Sequence, residues 1–358
     1  MRAVQFYGAG DLRVEDVQVP QLDQGTGKVL VEVEWCGICG SDLHLYTSGT
    51  HGSSEPFIMG HEFCGVVKEV PLGSNLTVGD KVIVNPTLTC ESCVCCSSGW
   101  GSQCPKLKFI GFTGGPGGGL SEFVAVQEYK LHKVPEHFEL EYAALAEPLA
   151  VGLHAVRKAA VRLDDWPHKM VLLLGGGPVG YAVLENMIAL GADPNNIIIS
   201  EPEDGRHKLL NSFGVQVLSP TKDNIGTACK TMTKSKGIDI AFDCAGKTGS
   251  AAAAMALLRP RGTYINVAFW GANITFPFID FFKKEITCVS SMAYSGDDFR
   301  EAVNLMSMGK YRTIRRMVTA RFSLENADNA FQGLLNNKEH HTKILLTPKK
   351  SNLVAVNK

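Results

Sequence analysis

The sequence predicts an α/β protein in which a β-rich domain is joined to a second domain with a doubly wound parallel sheet. Three observations predict this fold class: short Val- and Ile-rich segments in the first 130 residues, regular alternation of strand and helix after Lys169, and a glycine-rich turn where that alternation begins. The chain has 358 residues, which is enough for two domains.

Short β segments separated by Gly, Asp and Pro turns fill the first part of the chain, namely 28–35, 65–70 and 81–84. Such spacing is typical of a small β-barrel-like domain. At 141–161 the composition becomes alanine-rich and helical, and 164–169 has the composition of a connector. We therefore expect the first domain to cover 1–150.

Strand and helix alternate from Lys169 onward, which predicts a parallel sheet with right-handed crossovers. The predicted strands are 171–175, 197–201, 238–246 and 262–269, and the predicted helices are 178–191, 206–214 and 250–258. This parallel-sheet domain is expected over 151–292. The chain is then expected to return to the first domain over 293–348, and to end in a loose tail at 349–358.

Composition argues against several classes of function. The 35 basic and 36 acidic residues give a net charge of −1, which argues against binding to nucleic acid. The sequence has no apolar run of about 18 residues for a membrane span, and its N-terminus lacks the apolar run of a secretory signal. We therefore expect a cytoplasmic protein, in which eleven cysteines are thiols or metal ligands rather than disulfides.

A glycine-rich turn follows the first predicted strand of the parallel sheet. Gly175, Gly177 and Gly180 form G-x-G-x-x-G, and Pro178 and Val179 open the predicted helix. Strand before and helix after are the context that a dinucleotide-binding turn requires. The glycines permit the tight turn and let the backbone approach a pyrophosphate at the helix N-terminus.

The residues after the next strand bear on the choice between NAD and NADP. Glu201 ends that strand, and a carboxylate there can accept hydrogen bonds from the adenosine ribose and would repel a 2′-phosphate. Arg206, His207 and Lys208 follow and could partly offset this charge. The sequence therefore favours NAD, and NADP is the alternative.

Five cysteines lie within residues 90–104. Four of them follow the spacing C-x2-C-x2-C-x7-C, namely Cys90, Cys93, Cys96 and Cys104. Four thiolates with no open position make a structural zinc site. An iron–sulfur cluster is the alternative, although bacterial cluster runs place the fourth cysteine sooner. Removing Cys95 is the one deletion that leaves the spacing intact, so Cys95 is the leftover thiol.

A second candidate metal site combines different side chains. Cys39 and His61 offer a thiolate and an imidazole, Glu62 offers a carboxylate, and Glu147 is a further acid at the start of an apolar helix. A mixed set with water in the last position is what a catalytic zinc needs. Cys36 and Cys39 also form C-x-x-C, but a redox motif of that kind belongs in a βαβ unit and this one follows a strand in the β-rich part.

Three stretches resemble the zinc-dependent medium-chain alcohol dehydrogenases: GHEFCGVV (60–67), VGDKVIVNP (78–86) with the cysteine-rich lobe after it, and LGGGPVG (174–180). The resemblance runs from Met1 to about Pro348. The stretches WCGICGSDLHLY, EPLAVGLHAVR and MVTARFSLENADNAF are most similar to the (R,R)-butanediol dehydrogenase and sorbitol dehydrogenase branch. The family fold implied is a GroES-like β domain with a Rossmann domain.

The resemblance implies two zinc ions per chain. Cys39 and His61 would hold a catalytic zinc, and the third protein ligand would be Glu62 or Glu147. The four cysteines of the lobe, which we place at 86–105, would hold a structural zinc.

The resemblance also implies roles in catalysis and in cofactor binding. Ser41 and His44 match the proton-relay positions of the family, and Glu62 counts among the catalytic residues as well as the ligands. The glycine-rich turn, with Glu201 and Arg206, would hold NAD.

The implied activity is hydride transfer between NAD and a secondary alcohol, such as the short vicinal diol 2,3-butanediol, with acetoin as its acyloin product. A homodimer or homotetramer is expected. A polyol or amino-alcohol dehydrogenase on the same scaffold is the alternative, and a cofactor-binding protein without turnover is a remote one.

Overall fold

A computed structural model describes residues 1–23, 25–49, 56–113, 117–270 and 273–356. Its chain divides into two units. Unit 1 comprises Met1–Glu147, Ser295–Gly309 and Val318–Lys358, and unit 2 comprises Pro148–Tyr294 and Lys310–Met317.

The described residues form eighteen strands and twelve α-helices. The strands are β1 (Arg2–Gly8), β2 (Asp11–Asp16), β3 (Lys28–Gly37), β4 (Phe57–Ile58), β5 (Glu62–Glu69), β6 (Lys81–Val84), β7 (Thr87–Leu88), β8 (Lys108–Phe109), β9 (Phe123–Gln127), β10 (Leu131–Lys133), β11 (Val171–Leu174), β12 (Ile197–Ser200), β13 (Gln216–Leu218), β14 (Ile238–Asp243), β15 (Leu258–Asn266), β16 (Thr287–Ser290), β17 (Val318–Ser323) and β18 (Lys343–Thr347). The helices are α1 (Gly40–Ser48), α2 (Val94–Ser97), α3 (Leu140–Ala143), α4 (Ala146–Lys158), α5 (Pro178–Ala189), α6 (Asp204–Asn211), α7 (Ile225–Met232), α8 (Ser250–Leu257), α9 (Phe278–Lys283), α10 (Gly296–Ser307), α11 (Ala327–Asn336) and α12 (Lys350–Val356).

Unit 1 is built around a mixed sheet with the order β10-β6-β5-β3-β18-β17, in which β9 also pairs with β3. Seven of the ten residues of its long central strand, β3, are buried, and Val29, Val31 and Val33 are fully buried. These three valines are two positions apart, so they share one face of the strand, and they belong to the core. β18 comes from the end of the chain yet pairs with β3, so the first and last parts of the sequence share one sheet.

Unit 2 contains a parallel sheet with the order β13-β12-β11-β14-β15-β16. All four residues of β11 and all four of β12 are buried, as expected for strands with helices on both faces. β11 pairs with β14 on one side and with β12 on the other, so the order of strands reverses between β11 and β14. The predicted doubly wound sheet is confirmed. Within the described part of the chain, no helix combines the length and the apolar character needed to span a bilayer.

The chain end differs from the expected loose tail at 349–358, because Lys350–Val356 forms α12. Lys349, which precedes the helix, and Asn352 within it both bind the carboxylate of Glu34 in β3. Lys349 forms an ion pair with Glu34, and Asn352 Nδ2 donates to Glu34 Oε2 over 2.9 Å. These polar contacts hold the segment on unit 1.

The segment Lys310–Met317 also differs from expectation, since it lies in unit 2 and not in the domain expected over 293–348. Hydrogen bonds to α5 explain its position. Thr313 N donates to Glu185 Oε1 over 2.9 Å, and Tyr181 Oη donates to the Thr313 carbonyl over 2.7 Å. The other limits between the two units fall after Glu147 and after Tyr294.

Candidate active site and metal centres

The four cysteines of the predicted spacing come together in unit 1. Cys93 is the N-cap of α2, Cys96 lies within that helix, and Cys90 and Cys104 flank it in the chain. Their Sγ atoms are 3.5 Å apart for Cys93–Cys96 and Cys90–Cys104, and 3.9 Å apart for Cys90–Cys96 and Cys93–Cys104. A tetrahedral zinc with Zn–S bonds of about 2.3 Å needs sulfurs about 3.8 Å apart. The donor set therefore fits one tetrahedral zinc.

Backbone N–H groups support thiolates in this lobe. Cys104 Sγ accepts from the N–H groups of Cys90 and Lys106, each over 3.4 Å. Hydrogen bonds, first from the Ser92 backbone and then from neighbouring thiols, lower the pKa of Cys90 to about 6. The fifth thiol, Cys95, is outside the group, and partial burial raises its pKa.

The second candidate site brings together three of the four predicted ligands. Ligand atoms of Cys39, His61 and Glu62 all lie within 4.8 Å of one another. Cys39 is the N-cap of α1, and His61 directly precedes β5, which begins at Glu62. Glu147, in the first turn of α4, is buried but is outside this group. It acts on the site through charge, as one of the carboxylates that raise the pKa of Lys343.

Lys343 is a residue of this site that the sequence reasoning missed. Its Nζ lies 2.7 Å from both carboxylate oxygens of Glu62 and donates to the Ile38 carbonyl over 3.0 Å. Both charged side chains are 1% exposed. A Cβ at Gly37 would lie 2.2 Å from Glu62 Oε2, so only glycine leaves room for this carboxylate. A lysine at the start of a strand gives no signal in the sequence that it is buried.

Asp42 is the second residue that was missed. Its Oδ2 accepts from the Cys39 N–H over 2.9 Å, which closes the first turn of α1, and the side chain is fully buried. Its Oδ1 lies 3.4 Å from His61 Nδ1. A helix acid three residues after the N-cap is a capping pattern that was available in the sequence. What the pattern does not reveal is the contact with His61.

The contact with Asp42 leaves the other imidazole nitrogen of His61 for a metal. A carboxylate on one ring nitrogen is the usual support of a histidine that ligates zinc through the other. Burial lowers the pKa of His61, but the Asp42 carboxylate and the Cys39 sulfur outweigh it and raise that pKa well above its ordinary value. The site thus attracts positive charge, and a thiolate, an imidazole and a carboxylate are ligands that zinc accepts.

The two predicted relay residues lie on α1 in different surroundings. Ser41 is half-buried, and its Oγ lies 3.5 Å from His61 Nε2. His44 is exposed on the same helix. The serine is therefore beside the candidate metal ligands, and the histidine faces solvent.

The glycine-rich turn of unit 2 has the geometry that its sequence predicts. Gly175 has φ +89°, which favours glycine. Gly177 is the N-cap of α5, whose first two residues are Pro178 and Val179. A Cβ at Gly180 would lie 1.9 Å from the Gly175 carbonyl oxygen, so the helix packs directly against the turn.

Glu201 is bound to this turn instead of facing solvent. It is 2% exposed, its Oε2 accepts from the Gly176 N–H over 2.6 Å, and its Oε1 accepts from the Glu203 N–H over 2.9 Å. Arg206 Nη1 lies 3.7 Å from Glu201 Oε1 and 3.6 Å from where a Cβ of Gly177 would stand. A carboxylate and a guanidinium thus both adjoin the first turn of α5.

Two family descriptions match the chain. The Alcohol dehydrogenase GroES-like domain matches residues 25–136, and the Zinc-binding dehydrogenase domain matches residues 178–308. A probable diacetyl reductase [(R)-acetoin forming] of Saccharomyces cerevisiae is 35% identical, over 97% of this chain and 90% of that protein. The chain belongs to the zinc-dependent medium-chain alcohol dehydrogenase family.

Two further comparisons agree with this assignment. The (R,R)-butanediol dehydrogenase of Saccharomyces cerevisiae is 30% identical, over 97% of this chain and 98% of that protein. The crystal structure of 2R,3R-butanediol dehydrogenase from Bacillus subtilis matches with a TM-score of 0.87 at 30% identity, over 97% of this chain and 99% of that one. The predicted family, fold class and enzyme class are confirmed: the protein is an oxidoreductase that uses zinc and NAD(P).

Proposed function

We propose that this protein interconverts a short vicinal diol and its acyloin, of the kind of 2,3-butanediol and acetoin, with hydride transfer to or from NAD. The observation that carries the proposal is the mixed group of Cys39, His61 and Glu62 beside the Ser41 hydroxyl. The substrate class follows the two kinds of relative named above, a diacetyl reductase and butanediol dehydrogenases.

Each residue of the group has a distinct task. Cys39 Sγ and His61 Nε2 would hold zinc, with a carboxylate of Glu62 or Glu147 as the third ligand. Bound zinc supplies a Lewis acid that lowers the pKa of an alcohol hydroxyl. Asp42 fixes the orientation of the imidazole.

Ser41 is proposed as the first acceptor of the hydroxyl proton. Its Oγ lies 3.5 Å from His61 Nε2, so it adjoins one of the ligands proposed to hold zinc. His44 lies on the exposed part of the same helix and is proposed to release the proton to solvent. A positioned group of this kind contributes about 10²-fold or more to the rate.

Two aromatic rings favour a short diol over a longer polyol. The ring of His61 lies 5.4 Å from that of Phe112 and 6.3 Å from that of Phe109, with distances measured between centroids. Such rings can pack against the methyl groups of butanediol. A polyol carries a hydroxyl on each carbon, and hydroxyls buried against rings lose hydrogen bonds to water without replacement.

NAD is proposed as the preferred cofactor because Glu201 is buried at the end of β12. The 2′-phosphate of NADP would approach this carboxylate, and Arg206 offsets its charge only in part. We expect Glu201→Gln to narrow the ratio of kcat/KM for NAD to that for NADP. An unchanged ratio would remove Glu201 from the choice of cofactor.

We also propose that the protein is a homodimer or homotetramer in the cytoplasm. The strand β16 is last in the sheet order of the described chain, and Phe278, Ile279 and Phe282 of the preceding helix α9 are 67%, 71% and 82% exposed. A sheet edge beside exposed apolar side chains can pair with its own copy about a two-fold axis. Light scattering tests this: Phe282→Glu should lower the mass, and a monomeric wild type would contradict the proposal.

The decisive experiment is a substrate panel on one zinc-assayed sample. It compares kcat/KM with NAD and NADP for 2,3-butanediol, acetoin, sorbitol, xylitol and a short amino alcohol. We expect the diol and acyloin to lead by at least about tenfold, which corresponds to about 1.4 kcal/mol of transition-state binding. Higher values for sorbitol or xylitol would favour the polyol alternative. Bound zinc with no turnover of any alcohol would favour the non-enzymatic one.

A further inference from the structure

The carboxyl ends of three strands meet at one edge of the sheet in unit 2. These are Leu174 of β11, Asp243 of β14 and Asn266 of β15, and β14 lies between the other two. The strand order reverses between β11 and β14, and in open α/β sheets ligands bind outside the carboxyl ends of the strands at such a point. The turns that follow β11, β14 and β15 therefore adjoin the expected cofactor crevice.

The two carboxylate oxygens of Asp243 bind different parts of unit 2: one binds the turn after β14, and the other binds side chains of α8 and β15. Oδ1 accepts from the N–H groups of Ala245 and Gly246, each over 3.1 Å. Oδ2 accepts from Ser250 Oγ over 2.6 Å and from Tyr264 Oη over 2.9 Å. Asp243 is fully buried, so these four donors take the place of water for its two oxygens.

The turn held by Asp243 packs against the glycine-rich turn. A Cβ at Gly175 would lie 3.1 Å from the backbone nitrogen of Ala245, so the two turns are already at contact distance. The same turn also packs on the turn after β15. Gly246 has φ +56°, and a Cβ there would lie 2.8 Å from Ala268 Cβ.

The backbone of Asp243 extends this arrangement to the third turn. Its carbonyl oxygen accepts from the N–H of Val267 over 2.9 Å and from the N–H of Ala268 over 3.0 Å. One residue thus binds the turn after β14 through its side chain and the turn after β15 through its carbonyl. The turn after β14 also contacts Gly175.

We infer that Asp243 is a positioning residue for the nicotinamide cofactor, which acts by holding the turn Cys244–Gly246 against Gly175. The inference rests on the proposed cofactor site at the glycine-rich turn. Asp243 is not proposed to contact the cofactor itself, because each of its carboxylate oxygens already accepts two hydrogen bonds from protein groups.

The test compares three variants by NADH binding, by KM and kcat, and by the urea midpoint of unfolding. Asp243→Ala leaves two partly buried N–H groups, those of Ala245 and Gly246, without their carboxylate acceptor and should weaken NADH binding about tenfold or more. Asp243→Asn keeps an oxygen for those groups and should restore binding to within about threefold of wild type. Tyr264→Phe is the matched control, since it removes a donor to Oδ2 and leaves the Oδ1 contacts intact. It should lower the urea midpoint with less than about a twofold change in binding.

A fourth variant, Gly246→Ala, keeps the inference testable if Asp243→Ala does not fold. Gly246→Ala keeps the Asp243 side chain but displaces the turn that this side chain holds, because the new methyl group would lie 2.8 Å from Ala268 Cβ. NADH binding should therefore again weaken. The inference is overturned if Gly246→Ala binds NADH like wild type, or if Tyr264→Phe weakens binding as much as Asp243→Ala does. A wild-type protein that binds neither NADH nor NADPH would overturn the proposed function instead.

Discussion

The two groups of candidate metal ligands in unit 1 are built in opposite ways. The lobe takes four like ligands from fifteen consecutive residues, 90–104, and its neighbouring sulfurs are 3.5–3.9 Å apart. The other group takes unlike ligands from two separate segments, at Cys39 and at His61 with Glu62. Buried charges support it: Asp42 contacts the imidazole and Lys343 contacts the carboxylate.

The difference shows which kind of site a short stretch of sequence can specify and which kind depends on distant residues. A closed site with four identical ligands needs only a short segment that folds around the ion, so local spacing specifies it. A site that must stay open for substrate needs unlike ligands and opposing charges. One of those charges, Lys343 of β18, comes from an element distant in the sequence, whereas Asp42 lies three residues from Cys39.

The largest expected effect comes from Cys39→Ser. This variant should lose one of two zinc ions and nearly all activity. The group of Cys39, His61 and Glu62 loses its only sulfur ligand, whereas the lobe keeps its four sulfur ligands. Metal analysis and turnover on one sample measure both results. Cys36→Ser, which changes a buried thiol near the same site, is the control and should keep both ions. Two zinc ions per chain in Cys39→Ser would show that the catalytic assignment is wrong.

Ser41→Ala should have the next largest effect. The zinc content should stay at two ions while kcat falls by about 10²-fold, because the hydroxyl that accepts the proton is lost. His44→Ala should cost less, since His44 is exposed and water can take its place. An unchanged kcat in Ser41→Ala would remove the serine from the relay.

Lys343→Met tests the buried ion pair that the group of Cys39, His61 and Glu62 has and the four-cysteine lobe lacks. The substitution leaves Glu62 buried without its cation, and the free energy of unfolding should fall by about 3–5 kcal/mol. Lys349→Met is the matched control, because it breaks a more exposed pair with Glu34 and should cost at most about 1 kcal/mol. Urea unfolding measures both. Equal losses of unfolding free energy in the two variants would mean that breaking the buried Lys343–Glu62 pair costs no more than breaking the more exposed Lys349–Glu34 pair.

The smallest effect is expected for Cys95→Ser. Cys95 is outside the group of four sulfurs, so the variant should keep both zinc ions and full activity. Cys93→Ser, three residues from Cys96 on the same short segment, should lose the lobe's zinc ion. Loss of a zinc ion in Cys95→Ser would contradict the two-two-seven spacing as the ligand pattern.

The features that could be predicted from the sequence are those that residues close together in the chain form. The parallel sheet was predicted because each strand is a short apolar run followed by a helix, and Gly175, Gly177 and Gly180 mark their turn within six residues. The four sulfurs of the lobe are likewise close in the sequence. These features depend on neighbours in the chain.

Features that depend on partners far along the chain could not be predicted in the same way. The contact between Lys343 and Glu62 spans 281 positions, and nothing near Lys343 indicates that its strand lies beside β3. The helix Lys350–Val356 was expected to be a tail because its stabilising partner, Glu34, lies more than 300 positions away. Asp42 is the intermediate case, since its capping role is local and its contact with His61 is not.

The position of β18 also fixes when the candidate active site can form during synthesis of the chain. The ribosome makes Glu62 281 residues before it makes Lys343, and β18 pairs with β3 through Leu345 and Leu346. Throughout that interval the nascent β-rich domain carries the carboxylate without its cation. A chain released early, even with every residue of the ligand group and the whole cofactor turn, would therefore lack the charge balance on which the buried Glu62 depends.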